Sequence, residues 1–474
     1  MAGILKNTSI YAFGIMIPQI AGFFLLPVYT KFLTPSDYGI VSSMQVLSTI
    51  FLVLMTLSLD RSITRLYFDF KSEQEKRDFL GTITISIFTI SIIVLALIFI
   101  FKGVVEKIYK SVDFYPFYFY LILTVFFTTY SLIPKLYYQV NEKPGKFVMI
   151  TLSQFLLSTG FILWYVVIKK DGAEGMLKGN LMASIVILPV MIYVSVRSIN
   201  FRFRSKIFKE SVAFSLPMIP GFLSAWLLNQ SDRVFIERYL GLNEVGIYSL
   251  AYKLASIVTI VSSAFNSAYS PIFYKLANTE SAKTAKEKLS KFNNIFIIII
   301  MILTFLLIFY SKEGVLIFFN PKYAAGYKLI PIVALAMLIG QSQGIYNLMI
   351  YQEKKVIQMV LIGVLGGITN LPLNFLLIPK MGAYGAALAT LIAFFIMYVA
   401  ALLYSKKCYY IPLNWRAISK VGIGLIIIYF SSEMLLGSVS IYWSLIIKTF
   451  ICLGILTYAF FKYYKKLKAL LIKY

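Results

Sequence analysis

Apolar residues run in long blocks along the chain, each bounded by a short polar or charged stretch. A membrane-spanning helix needs roughly 20 such residues to cross about 30 Å of hydrocarbon. Blocks of that length predict spans at roughly 10–30, 39–59, 79–101, 116–134, 147–168 and 175–196. A second series follows at roughly 211–231, 245–270, 292–311, 326–348, 356–378 and 382–404, with two more at roughly 417–436 and 441–462. The block at 211–231 is the least apolar. The first block is too long for the core of a signal peptide and has no A-x-A cleavage site, so it reads as a span. The pattern therefore predicts an all-α membrane protein of about fourteen transmembrane helices.

The connecting loops carry the orientation signal. With the N-terminus inside, cytoplasmic loops hold 29 of the 45 Lys and Arg and external loops hold 11. Basic residues stay on the cytoplasmic side, which predicts that both termini are cytoplasmic. The largest external loop, Lys102 to Tyr115, has about fourteen residues. It has no room for a folded external domain.

The pattern also repeats. Residues 32–42 read FLTPSDYGIVS and residues 239–249 read YLGLNEVGIYS, an offset of 207. GAEGML at 172–177 and GAYGAAL at 382–388 are offset by 210. One duplication of a six-helix block explains both pairs. Six is even, so the copies share an orientation and are related by an axis along the membrane normal. The expected division is an N-terminal lobe (1–200), a C-terminal lobe (201–407), and two trailing helices with a basic cytoplasmic tail (408–474).

Composition narrows the chemistry. The chain is 59% hydrophobic and 14% charged, whereas soluble domains are about 25% charged. The net charge of +25 would suggest nucleic acid in a soluble protein. Here it belongs to cytoplasmic loops, so no nucleic-acid partner is expected. Histidine is absent and the two cysteines, Cys408 and Cys452, are far apart. No disulfide framework, metal cluster or imidazole-based catalysis can be built from them, and there is no G-x-x-x-x-G-K-[ST] phosphate loop. The expectation is a protein without catalytic activity, cofactor or metal. A membrane glycosyltransferase or polymerase would need a large external loop or an acidic site, and Glu433 reads as isolated.

Charges inside a bilayer are functional candidates because they are expensive there. Asp232 and Arg233 follow Asn229 and Gln230 at the expected outer end of the seventh helix. Arg233 and Asn229 share a helix face. The set reads either as a cavity-facing cation for an anionic head group or as an interfacial pair ending a helix. Applying the repeat offset puts the counterpart of the pair between Leu25 and Lys31, where residues are apolar until Tyr29, so the pair is specific to the second half. Arg61 and Arg65 are expected to end the second helix on one face, as an anion entry site or as an ordinary basic flank, with Asp60 available to pair with an arginine. Lys253 lies about eight residues into the eighth helix and reads as cavity-lining. Lys448 lies as deep in the fourteenth and reads as snorkelling or structurally paired. Pro18 and Pro27 in the first helix, and Pro217 and Pro220 in the seventh, are expected to bend their helices near a binding site. Gln343 with Asn347, and Asn370 with Asn374, read as interhelical hydrogen-bonding pairs. The tail Lys462–Lys473 reads as a topology anchor.

The stretch NQSDRVFIERYLGLNEVGIYSLAYKLASI (Asn229 to Ile257) resembles the corresponding region of the polysaccharide-transport (Wzx-type, O-antigen or oligosaccharide) flippases of the multidrug/oligosaccharidyl-lipid/polysaccharide exporter superfamily. LLPVYTKFLTPSDYGIVSSMQVLS (Leu25 to Ser48) is similar to that family's first two helices, and Gly382 to Thr390 matches in style. The resemblance covers essentially the whole chain. It implies two six-helix lobes around a central cavity, two trailing helices, and an undecaprenyl-pyrophosphate-linked oligosaccharide as substrate. It also implies a place in the bacterial cytoplasmic membrane, in surface polysaccharide biosynthesis (O-antigen, capsule or another pathway), beside a polymerase and chain-length machinery. The alternatives left open are a cation-coupled multidrug exporter of the same superfamily, and a flippase for teichoic acid or peptidoglycan lipid precursors.

Overall fold

The computed structural model describes residues 2–436, 439–454 and 457, with side chains from residue 10 on. The expected basic tail and the end of the last span lie outside the described residues. In chain order the helices are α1 (Ala2–Phe24), α2 (Leu26–Phe32), α3 (Pro35–Thr56), α4 (Leu59–Leu66), α5 (Glu73–Ile100), α6 (Lys102–Val105) and α7 (Phe119–Val140). Then come α8 (Pro144–Leu163), α9 (Gly172–Ser198), α10 (Ser205–Ser215), α11 (Ile219–Leu240), α12 (Leu242–Ala255) and α13 (Ile257–Thr279). The rest are α14 (Ala282–Phe309), α15 (Ser311–Phe318), α16 (Ile330–Gln352), α17 (Val356–Met381), α18 (Ala383–Ser405), α19 (Trp415–Leu436) and α20 (Ile441–Gly454). No strand occurs among the described residues.

Twelve of these stretches are long and apolar enough to cross a membrane, and the pair Ile10–Phe24 with Leu26–Phe32, bent by 41°, makes a thirteenth. The shorter apolar α20 helix is the described part of the block expected as a fourteenth span. Capping sets several starts. Thr34 and Asp37 form a reciprocal capping box ahead of α3, with Pro35 opening the helix, and Ser72 with Glu75 do the same for α5. Each box satisfies two backbone donors that a helix start leaves free.

Proline acts differently in the two halves. The α1 helix runs through Pro18 to Phe24, and the break comes at Leu25, just before Pro27 opens α2. Pro18 lies inside a continuous helix, and the 41° break falls beside Pro27. In the second half, a short 3-10 turn at Leu216–Met218 contains Pro217, and Pro220 sits in the first turn of α11. The proline ring fixes φ and fits a helix start better than its interior. The crossing thus has two segments, and α10 packs against α4 and α5 although it lies past residue 200.

The halves meet at one end of the bundle, where α3 crosses α12. A Cβ on Gly39 would lie 2.0 Å from the Leu242 carbonyl oxygen, and one on Gly246 would lie 1.8 Å from that of Pro35. Only glycine permits this backbone approach. Gly39 and Gly246 are the equivalent glycines of the 207-residue repeat, so each copy presents the same turn to the other across a pseudo-two-fold axis. Gly241 (φ 88°) supplies the positive φ between α11 and α12 that the Thr34 junction does not need.

Candidate functional site: the closed end and the cleft beyond it

The α11 helix continues seven residues past Arg233 to Leu240, so the Asp232–Arg233 pair is enclosed rather than terminal. The side chains are 1% and 6% exposed, with Nη1 of Arg233 2.8 Å from Oδ1 of Asp232. Arg233 also donates to the Asn229 carbonyl at 2.6 Å. Tyr248 donates its hydroxyl to Oδ2 of Asp232 at 2.5 Å. The guanidinium lies 4.1 Å from the ring centroid of Tyr252 and 5.4 Å from that of Tyr248. Tyr248 and Tyr252 stand four apart on α12, which puts both on the face toward α11. The arginine is thus neutralised and stacked inside the closure. Neither expected reading, an open-cavity cation or a headgroup anchor, describes it in this conformation.

Neutral donors join the halves around this latch. The Tyr323 hydroxyl donates to the Leu33 carbonyl at 3.1 Å, and Nε1 of Trp226 donates to the Val46 carbonyl at 3.1 Å. Buried Glu237, one turn beyond Arg233, accepts from the Ser111 backbone N–H at 2.8 Å. Tyr109, in the stretch between α6 and α7, is fully buried. Burial holds its hydroxyl far above the ordinary tyrosine range, so it stays neutral.

Below the crossing, polar groups remain open. Asn229 is half-buried and accepts from the Tyr252 hydroxyl at 3.3 Å, and Gln230 beside it is also half-buried. Lys253 is exposed, and its ammonium has no hydrogen bond or ion pair among the described residues. Leu242, Gly246, Ser249 and Lys253 share the 3–4 spacing of one helix face. That face meets α3 at the glycines, so Lys253 stands two turns along the contact face, past the tight crossing. The span expected at 116–134 runs on as α7 to Val140, so Lys135 lies inside a helix. It is half-buried, donates to Oε1 of Gln154 at 2.5 Å, and has no carboxylate partner among the described residues.

Arg61 and Arg65 do not end the second helix. Leu57 and Ser58 adopt left-handed φ values of 46° and 55° and break it, leaving both arginines on the separate α4 helix. Each is exposed and has its own acid: Arg61 lies 3.6 Å from Asp60, and Arg65 lies 2.7 Å from Asp69. The repulsion expected between them is relieved locally, at a surface position.

The asparagine pair on α17 and the lysine of α20 serve packing. Asn374 donates to Oδ1 of Asn370 at 2.8 Å, and Ser231 and Thr390 complete a fully buried chain joining α11, α17 and α18. Lys448 is buried, 2.9 Å from Glu313 and 3.1 Å from Glu433. Glu433 is therefore paired rather than isolated, and the cluster pins α19 and α20 to α15. Among the described residues no group of three or more His, Cys, Asp or Glu is placed to hold a metal ion.

The family described as "Polysaccharide biosynthesis protein" matches residues 28–328. An Lsg locus protein of Haemophilus influenzae is 24% identical over 281 residues, which is 57% of this chain and 66% of the relative's length. A membrane protein of the same species is 22% identical over 338 residues, covering 70% of this chain and 80% of its own. Among solved structures, the lipid II flippase MurJ in an inward closed conformation superposes with a TM-score of 0.76 at 16% identity, over 96% of this chain and 99% of that one. An inward-facing multidrug resistance MATE family transporter gives 0.58 at 11% identity, over 88% and 95%. Such low identities speak to the fold alone, but the family match runs through the latch and through both members of the 207-residue sequence pair, at 32–42 and 239–249. The chain belongs to the polysaccharide biosynthesis protein family.

Proposed function

We propose that this chain carries an undecaprenyl-pyrophosphate-linked oligosaccharide across the bacterial cytoplasmic membrane, with both termini in the cytoplasm, by alternating access between two lobes. The observation that carries the reading is Lys253, an ammonium on a membrane-embedded helix with no carboxylate beside it. An unpaired cation at that depth is costly unless an anion arrives to meet it. A pyrophosphate supplies that charge, and the half-buried amides of Asn229 and Gln230 are within the same turn of the bundle for sugar hydroxyls. Arg61 and Arg65 would meet the head group first, from the basic side. The same lysine disfavours a cationic drug as cargo, because like charges repel in low dielectric.

The test is surface polysaccharide per unit of membrane-inserted protein in Lys253→Ala and Lys253→Arg strains. Alanine should trap lipid-linked oligosaccharide on the inner leaflet at normal protein level, and arginine should restore part of the transport. A null mutant with normal surface polysaccharide and new sensitivity to cationic drugs would replace this reading with the exporter.

A further inference from the structure

A cavity of about 450 Å³ opens between the bent first helix of one half and α12, α14 and α15 of the other. Its walls come from Phe23 and Pro27, from Leu254, from Leu303 and Leu307, and from Gly314. The lining is apolar almost throughout. It lies where the 41° bend between α1 and α2 turns the first helix at the seam between halves. Two features set it apart from a packing defect. Leu254 lines it, and the preceding residue is Lys253, so one turn of α12 offers a cation on one face and this groove on the next. Gly314 sits inside the short α15 helix, where glycine costs about 1 kcal/mol relative to alanine. A Cβ there would meet nothing within 4 Å. The glycine keeps the groove wide without any backbone contact requiring it.

We propose that this groove holds a stretch of the hydrocarbon tail of the transported lipid, next to its head group at Lys253. The assignment rests on the transport reading above and adds to it the place of the tail. An amphiphile with a compact anionic head and a long apolar chain matches the juxtaposition: charge meets the ammonium on one side of α12 and hydrocarbon fills the groove on the other. The seam position lets the rest of the tail run on into the bilayer while the head stays between the lobes.

The experiment uses the whole protein in proteoliposomes, with Gly314→Ala, Gly314→Leu and Gly314→Trp as a graded filling of the groove. Each variant is offered a lipid-linked oligosaccharide with a full-length polyprenyl tail and the same head group on a short tail that does not reach the groove. Transport of the long-tailed substrate should fall stepwise with side-chain size, by about tenfold for tryptophan, since excluding two methylenes from an apolar site forfeits roughly that factor. The short-tailed substrate should be moved equally by all variants. Tryptophan leaving both substrates at the parent rate would show a groove that is empty or filled by bulk lipid, and would overturn the proposal. Equal loss of both substrates would also overturn it, by showing a structural effect. A parent protein that moves neither substrate would sink the transport reading itself, and the tail assignment with it.

Discussion

Arg233→Ala should destabilise the protein through Asp232. The substitution removes an ion pair at 2.8 Å, a hydrogen bond to the Asn229 carbonyl and a stacked contact with Tyr252 at 4.1 Å. What remains is a carboxylate 1% exposed to solvent, held by the Tyr248 hydroxyl and one backbone N–H. Breaking a buried pair by removing one partner costs roughly 3–5 kcal/mol, because the other charge is stranded. A desolvated cation–π contact adds about 2 kcal/mol. The alanine variant should therefore lose both membrane abundance and heat resistance. Asp232→Asn should cost several kcal/mol as well, by leaving the guanidinium uncompensated. Combining Asp232→Asn with Arg233→Met removes both charges and keeps most of the volume, and such replacements are often neutral or stabilising. The assay is the fraction of protein remaining soluble in detergent after graded heating, for the parent, each single variant and the pair. The double variant should recover most of what either single loses, a strongly non-additive cycle of the kind contacting residues show. An Arg233→Ala protein as heat-resistant as the parent would refute the reasoning, as would a double variant that loses the sum of the singles.

Gly246→Leu should force α3 and α12 apart, because its Cβ would lie 1.8 Å from the Pro35 carbonyl oxygen. A cysteine at Ser249, with Cys408 and Cys452 replaced, should then react faster with an impermeant maleimide, and an unchanged rate would show that the crossing tolerates the side chain. Lys448→Met should lower membrane abundance by stranding buried Glu313, at a cost of roughly 3–5 kcal/mol. Adding Glu313→Gln should recover most of it, and no recovery would mean that the lysine acts through packing alone. Reporter fusions in the linker after α9 should be active only in the cytoplasm, and fusions at Lys322 only outside, as the distribution of basic residues requires. The reverse pattern would invert the topology.

Much of the bundle was legible because bilayer physics writes it locally. Span positions follow from block length, and every predicted block up to 417–436 coincides with an observed helix or bent pair. The repeat was legible too, and its meaning is plain in three dimensions, where Gly39 and Gly246 meet. The asparagine pair at 370 and 374 was read as interhelical glue because a four-residue spacing fixes a common face. Helix ends were not legible. Asp232 and Arg233 read as terminal because polarity ends an apolar block, yet a helix can carry polar residues onward when a neighbour supplies partners. Tyr248 and Tyr252 lay in the quoted segment, but their spacing says only that they share a face, not that a guanidinium lies against it. The break at Leu57 and Ser58 left no glycine or proline to mark it. Glu237 with Ser111, and Lys135 with Gln154, are pairs that no local pattern connects.

What crosses the closure bears on how it opens. The members of the charged latch, Asp232, Arg233, Tyr248 and Tyr252, all belong to α11 and α12, so they move as a unit and stay paired when the halves separate. Across the seam at this closed end, the hydrogen bonds among the described residues include Tyr323 to Leu33, Trp226 to Val46, and Ser111 to Glu237. Neutral bonds contribute about 0.5–1.5 kcal/mol each and one to a carboxylate about 1.5–3, so together they hold the end shut by roughly 2.5–6 kcal/mol. A minor state a few kcal/mol above the major one is the range in which a ligand shifts populations through its differential affinity. Had the ion pair bridged the two halves, opening would strand two charges and raise that gap well beyond what substrate binding offsets. Placing the Asp232–Arg233 pair within one half, and glycines with neutral donors between the halves at this end, makes the closure tight and still reversible.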